Sequence, residues 1–235
     1  MKKCRFLALF LLLALLLPGS ALALEDPAPA ATAALLVDAD YDVVLYELNA
    51  HEKRYPASIT KIMTALLTLE AVDRGELALT DMITAPEGIH NGLTADSSTQ
   101  NIKSGEQMSL LDLLYCTLVA SANEACNVLA NAVAGGTAEF VALMNQRAAE
   151  LGMTGTHYVN THGLHDDNHY TTAWDIYLLA REAMKNETFH RVVHCPRHQP
   201  QCSAGVVQHQ RADHRPALLR LRLSARHWHQ NRLHR

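Results

Sequence analysis

Long apolar runs, closely spaced cysteines and basic residues in the body of the chain are all scarce, and each shortage narrows the reading. The one long apolar run, residues 6–17, falls short of the roughly 20 residues a membrane-spanning helix needs. It follows Met1-Lys2-Lys3-Cys4-Arg5 and precedes Ala21-Leu22-Ala23. That order is the charged region, apolar region and A-x-A site of a secretory leader. Residues 1–23 are therefore read as a signal peptide cleaved near Ala23. The mature protein is expected outside the cytoplasm, in the cell wall or periplasm, and no membrane anchor is visible in the chain. The cysteines lack the spacing of a metal site. Cys4 leaves with the leader, while Cys116 and Cys126 fall in apolar helical sequence, as buried free thiols do.

Basic residues are unevenly spread. The net charge of −4 conceals nine arginines from Arg191 onward beside one acid, Asp213. Setting those and the three basic residues of the leader aside leaves eight of the 20 basic residues, against 23 of the 24 acids. So acidic a body argues against nucleic acid as a partner.

What is present centres on Tyr55-Pro56-Ala57-Ser58-Ile59-Thr60-Lys61. Pro56 suits a first helical turn, so a helix is expected to start close to Ser58 and run to about Val72. Its residues Ile62, Met63, Ala65, Leu66, Leu67 and Leu69 are apolar nearly all round, as in a helix buried in a larger domain. Residues three apart share a helix face, so Lys61 can reach the Ser58 hydroxyl. That hydroxyl is a weak nucleophile until a base takes its proton. A free lysine, with a pKa of about 10.4, cannot be that base at neutral pH. Burial and the positive end of a helix both favour the neutral amine. The plain alternative is that S-x-x-K arises by chance, and context decides between the two.

Elsewhere, residues 25–32 read as a Pro/Ala linker and residues 33–37 and 43–46 as a hairpin around Asp38-Ala39-Asp40-Tyr41-Asp42. Residues 77–107 read as turns with short strands. Helices are expected over 109–119, 124–134, 137–151 and 172–185, with a loop rich in His and Asp over 154–170.

Ser121-Ala122-Asn123 falls between two apolar helices, where a loop can turn polar side chains into a cleft. A serine there could relay a proton, and an asparagine could hold a substrate amide or the lysine. S-x-N is common, and its ordinary use is as a helix cap. About sixty residues after S-x-x-K it carries more weight. The pair resembles the penicillin-recognising serine enzymes, whose motifs are S-x-x-K, then S-x-N or S-D-N, then K-T-G. Ser121-Ala122-Asn123-Glu124-Ala125, Tyr158-Val159-Asn160-Thr161-His162-Gly163-Leu164-His165-Asp166 and His169-Tyr170-Thr171-Thr172-Ala173 resemble, in order, the low-molecular-weight D-alanyl-D-alanine carboxypeptidases. The likeness covers residues 33–193, and the E-x-x-L-N loop of a class A β-lactamase is not found.

The resemblance implies an α/β fold of the β-lactamase and D,D-peptidase kind, an antiparallel sheet flanked by helices with a helical region carrying Ser121. It implies Ser58 as acyl-ester nucleophile, Lys61 as proton acceptor, and Ser121 and Asn123 as the second motif. The implied substrate is a peptidoglycan stem peptide ending in D-Ala-D-Ala, with β-lactams as acylating inhibitors and neither cofactor nor metal.

Two stretches imitate other motifs. Lys103-Ser104-Gly105 looks like K-T-G but precedes Ser121, whereas the third motif comes later; it is read as a turn. His157, His162, His165 and His169 crowd one loop and suggest zinc. No Glu or Cys accompanies them in a known zinc arrangement, so loop packing is the preferred reading.

The third motif itself supplies a lysine for the substrate carboxylate, on a strand that donates one oxyanion N–H. No K-T-G follows Asn123. Residues 194–235 are instead rich in Arg, His, Pro and Gln, without amphipathic period. Such charge is ordinarily a solvated face or a patch for nucleic acid or membrane. A third reading fits better: the tail is out of frame. His229-Gln230-Asn231-Arg232-Leu233 is encoded by CAY CAR AAY CGN CTN for common codon choices, and one base later this permits Ile-Lys-Thr-Gly. In the same frame residues 207–213 permit Tyr-Asn-Thr-Asn-Ala-Leu, resembling the family's N-T-N segment. The expectation is thus a leader (1–23), a partial carboxypeptidase domain (24–193) and an out-of-frame, disordered tail (194–235). Losing one oxyanion donor costs about 10²–10³ in rate, so the rival expectation is a wall- or β-lactam-binding protein without turnover.

Overall fold

The structure, a computed structural model, describes residues 29–195; the expected leader and nearly all of the expected tail lie outside the described residues. The chain begins with β1 (Ala34–Asp38) and β2 (Val43–Leu48), paired antiparallel around a turn where the Asp38 carboxylate accepts from the Asp40 N–H. Among the described residues this sheet has two strands, and Leu36, Val43, Val44 and Leu45 stand exposed on it. A second small sheet pairs β3 (Met82–Thr84) with β4 (Gln107–Ser109), bracketing the polar segment read as turns.

The core is helical. A 3-10 turn (Ala57–Thr60) runs directly into α1 (Lys61–Asp73). Nine of α1's thirteen residues are buried, on all sides, so it is the central helix its composition describes. Around it stand α2 (Leu110–Leu118), α3 (Asn123–Ala134) and α4 (Thr137–Glu150). The Ser109 hydroxyl caps α2 by accepting from the Asp112 N–H, and Gly135 closes α3 in the left-handed conformation glycine tolerates. After a long loop come α5 (Ala173–Ala183), capped by Thr172, and α6 (Glu187–Val193). Met63, Leu69, Leu110, Leu114, Leu129, Phe140 and Met144 interlock where these helices meet. Cys116 and Cys126 are buried there as free thiols.

Two details differ from the sequence reading. Ser58 lies in a 3-10 turn, with the α-helix proper beginning at Lys61. And α6 was not expected: Asn186 starts it by accepting from the Thr188 and Phe189 N–H groups, and Phe189 and Val192 bury its inner face. At seven residues it is too short for a periodic pattern to stand out.

Candidate active site

The two residues of the S-x-x-K pair sit in opposite environments. Ser58 is exposed on its turn, whereas Lys61, three residues on, is 2% exposed. The Lys61 Nζ lies 3.0 Å from Ser58 Oγ and 3.0 Å from the His162 carbonyl oxygen. Burial holds the Lys61 pKa below the ordinary lysine value, while nearby Cys126 and Glu124 oppose the fall. An amine at that distance, once neutral, can accept the serine proton, which is what a base for Ser58 requires.

Ser121 completes the cluster: its Oγ donates to Ser58 Oγ at 3.1 Å. Its loop is held by α2, whose Cys116 carbonyl accepts from the Ala122 N–H at 2.9 Å. Ser121 has φ +60, and Ala57, just before Ser58, has φ +47. Non-glycine residues adopt that region rarely, and such positions concentrate at functional sites. The cap of α3 is Ala122, which offers no side-chain bond, so neither polar residue of the motif serves as that cap. Asn123 is buried at the first position of α3, and its backbone N–H donates to Ser98 O at 2.9 Å. The structure thus brings Ser58, Lys61 and Ser121 into contact. Lys61 is held by Ser58 and the His162 carbonyl.

The histidine loop forms the back of this site. The Thr64 hydroxyl donates to Thr161 O at 2.6 Å, next to the carbonyl that holds Lys61. His169 Nδ1 accepts from the Val159 N–H at 3.1 Å, so its Nε2 carries the proton and donates to Thr60 Oγ1 at 2.8 Å. His162 Nδ1 accepts from the Leu164 N–H at 3.2 Å. Burial pushes both imidazoles down to about 4, with Lys61 adding to the effect at His162, so both are neutral near pH 7. His157 bonds Asn168 O, and His165 packs edge-on against Tyr55. All four histidines are thus loop-packing residues. Among the described residues no group of three His, Cys, Asp or Glu side chains is arranged to hold a metal. Lys103-Ser104-Gly105 is a turn, with the Glu106 N–H donating to Lys103 O and Gly105 at φ +81.

Sequence reasoning did not single out the His162 carbonyl, Gly163, His169 or Glu124 as parts of this surround. A carbonyl carries no residue signature. Gly163, in a Thr-His-Gly run, was the one readable sign of a close backbone approach.

A serine hydroxyl flanked by a buried amine and a second serine is an arrangement chemically suited to acyl transfer. The comparisons make the class specific. The D-alanyl-D-alanine carboxypeptidase (peptidase S11) family model matches residues 21–208, and the chain belongs to that family. The D-alanyl-D-alanine carboxypeptidase DacF of Bacillus subtilis is 36% identical over 158 residues, 67% of this chain and 40% of that protein. DacC of Escherichia coli is 39% identical over 160 residues, with 67% and 40% covered. The chain therefore spans about 40% of the length of these curated relatives. Among solved structures, penicillin binding protein 6B from Escherichia coli superposes with a TM-score of 0.70 at 30% identity, over 74% of this chain and 56% of that one. Penicillin-binding protein D2 from Listeria monocytogenes, in its ampicillin-bound form, gives 0.61 at 30%, over 72% and 67%. The fold is that of the penicillin-binding D,D-peptidases, an α/β arrangement whose antiparallel sheets are small among the described residues.

Proposed function

We propose that this chain is built as a secreted serine D,D-carboxypeptidase that removes the terminal D-alanine from peptidoglycan stem peptides. The observation that carries the reading is the Lys61 amine, buried and 3.0 Å from an exposed Ser58 hydroxyl. Lys61 takes the Ser58 proton as the hydroxyl oxygen attacks the D-Ala-D-Ala carbonyl. Ser121, 3.1 Å from the same oxygen, is placed to pass a proton to the departing D-alanine amine. Water then cleaves the Ser58 ester, with the lysine as base again. Asn123 orients the substrate amide. β-Lactams acylate the same serine. The domain is assigned to residues 24–193, after a leader cleaved near Ala23 that sends it to the cell wall or periplasm.

The test is a mass measurement. Benzylpenicillin should leave a covalent adduct on the Ser58 peptide of the full chain, and Ser58→Ala should abolish it. An undiminished adduct in Ser58→Ala would sink the assignment. Release of D-alanine from a peptide ending in D-Ala-D-Ala reports turnover; an adduct without release selects the binding protein without turnover.

A further inference from the structure

Glu124 follows Asn123 in the first turn of α3, and its side chain is fully buried. One carboxylate oxygen, Oε1, accepts from Thr99 Oγ1 at 2.6 Å, from the Gln100 N–H at 2.6 Å and from the Ile102 N–H at 3.4 Å. The other, Oε2, is buried without a hydrogen-bond partner among the described residues. A carboxylate taken out of water is costly unless hydrogen bonds replace its hydration. Here those bonds come from one polar segment, residues 99–102, with no other structural role evident for the charge.

That segment reaches the motif by its backbone as well. Ser98 O accepts from the Asn123 N–H at 2.9 Å, and Ser98 Oγ donates to Ala120 O at 3.4 Å. The Ser121 turn is therefore clamped from two sides, by the 98–102 segment and by the Cys116 carbonyl that receives the Ala122 N–H. Ser121, at φ +60, needs such surroundings to keep its conformation.

We propose that Glu124 is a positioning residue of the Ser58 site, its buried carboxylate tying residues 99–102 to the start of α3 and so fixing Ser121 and Asn123 against Ser58. The proposal rests on reading Ser58 and Lys61 as an acyl-transfer pair. Glu124 has a second effect through its charge. The titratable groups facing Lys61 are Glu124 and Cys126 on α3 and His162 on the histidine loop, and Cys116 on α2 also faces Glu124. Burial drives Lys61 toward the neutral amine; Cys126 and, after it, the Glu124 carboxylate oppose that fall. The base is thereby able to keep the proton it takes from Ser58.

The full chain, labelled for NMR, is compared with Glu124→Gln and Glu124→Ala. Two quantities are read: hydrogen exchange of the Gln100 and Asn123 amides, and the pH titration of Lys61 Cε. Glu124→Ala removes the acceptor and should speed exchange at both amides by at least about tenfold. Glu124→Gln keeps an acceptor but loses the charge; its Lys61 midpoint should move to lower pH, with a smaller rise in exchange. A purely structural Glu124 would leave the Lys61 titration of folded Glu124→Gln where it was. If Glu124→Ala does not fold, the Asn123 amide of Glu124→Gln carries the exchange measurement. A Lys61 midpoint that stays put, or an Asn123 amide exchanging at the wild-type rate in every folded variant, overturns the proposal. The benzylpenicillin adduct is scored on the same wild-type sample. Its absence removes the acyl-transfer reading without touching either NMR result, so the two failures are separable.

Discussion

Gly163 lies against the carbonyl of Ala57 so closely that a β-carbon at 163 would stand 1.8 Å from that oxygen and 2.8 Å from Thr60 Oγ1. The contact docks the histidine loop onto the turn that presents Ser58, next to the carbonyl that holds Lys61. Gly163 also has φ +91, outside the range of ordinary L-residues. Gly163→Ala therefore has to move backbone. Overpacking costs about 1–3 kcal/mol and the left-handed backbone about 1–2 more. The melting temperature should drop by on the order of 10 °C, and adduct formation at Ser58 should slow at least about tenfold as Lys61 loses its second anchor. An unchanged melt with an unchanged adduct rate would show that the loop does not set the Ser58 turn.

Five of the six helices among the described residues, and the hairpin, were legible in the sequence because their patterns are local; α6 was too short to show one. α1 announces itself by apolar residues on every face, and β1 and β2 by two β-prone runs about an Asp-rich turn. Ser58, Lys61 and Ser121 were legible as a group because S-x-x-K and S-x-N stand in a recognisable order. The surround was not. Lys61 and His162 are 101 residues apart in sequence, and the tie between them is a backbone carbonyl that any residue could supply. The Thr60–His169 bond spans 109 residues. Long-range contacts of this sort follow from how the loop packs on α1, which no local pattern encodes.

Asn123 separates a site role from a capping role. Its neighbour Ala122 holds the cap position without a side-chain bond. Losing a capping side chain typically costs about 0.5–2 kcal/mol and no chemistry. Asn123→Ala is expected to reduce peptide turnover, or adduct formation where turnover is absent, by tenfold or more while melting shifts by a few degrees. Activity and melting temperature falling in step would return Asn123 to a structural role.

Acid should weaken the site through its neutral imidazoles. His162 and His169 take up protons near pH 4 in the fold, against about 6.5 in an unfolded chain. Between those values the unfolded state binds more protons, so stability falls as pH drops from about 6.5 toward 4. Above that window neither group contributes a slope. Protonated His169 would also lose the acceptor that receives the Val159 N–H. His169→Asn is expected to be less stable than wild type at pH 7 but to lose less on going to pH 4.5. The carboxylates titrate in both proteins and cancel in the comparison. Parallel melting curves against pH would exclude His169 as the source.

The β1–β2 hairpin carries the last prediction. Leu36, Val43 and Leu45 are each at least half exposed, and Val44 is 39% exposed, on a sheet that has two strands among the described residues. A two-stranded hairpin is marginal in water and an open apolar edge invites pairing. We propose that residues 194–235 are read out of frame; strands encoded one base later, one of them bearing Lys-Thr-Gly, would then cover it. The decisive measurement is the nucleotide sequence across codons 190 to 235. Read one base later from near codon 194, it should run without a stop, give Lys-Thr-Gly across codons 229 to 233 and continue past codon 235. A chain carrying that frame should then show exchange protection at the amides of β1 and β2, and less tendency to associate than the chain described here. A stop before codon 229, or any other residues at that position, would end the frame account. The hairpin face would then need a partner other than this gene's own strands.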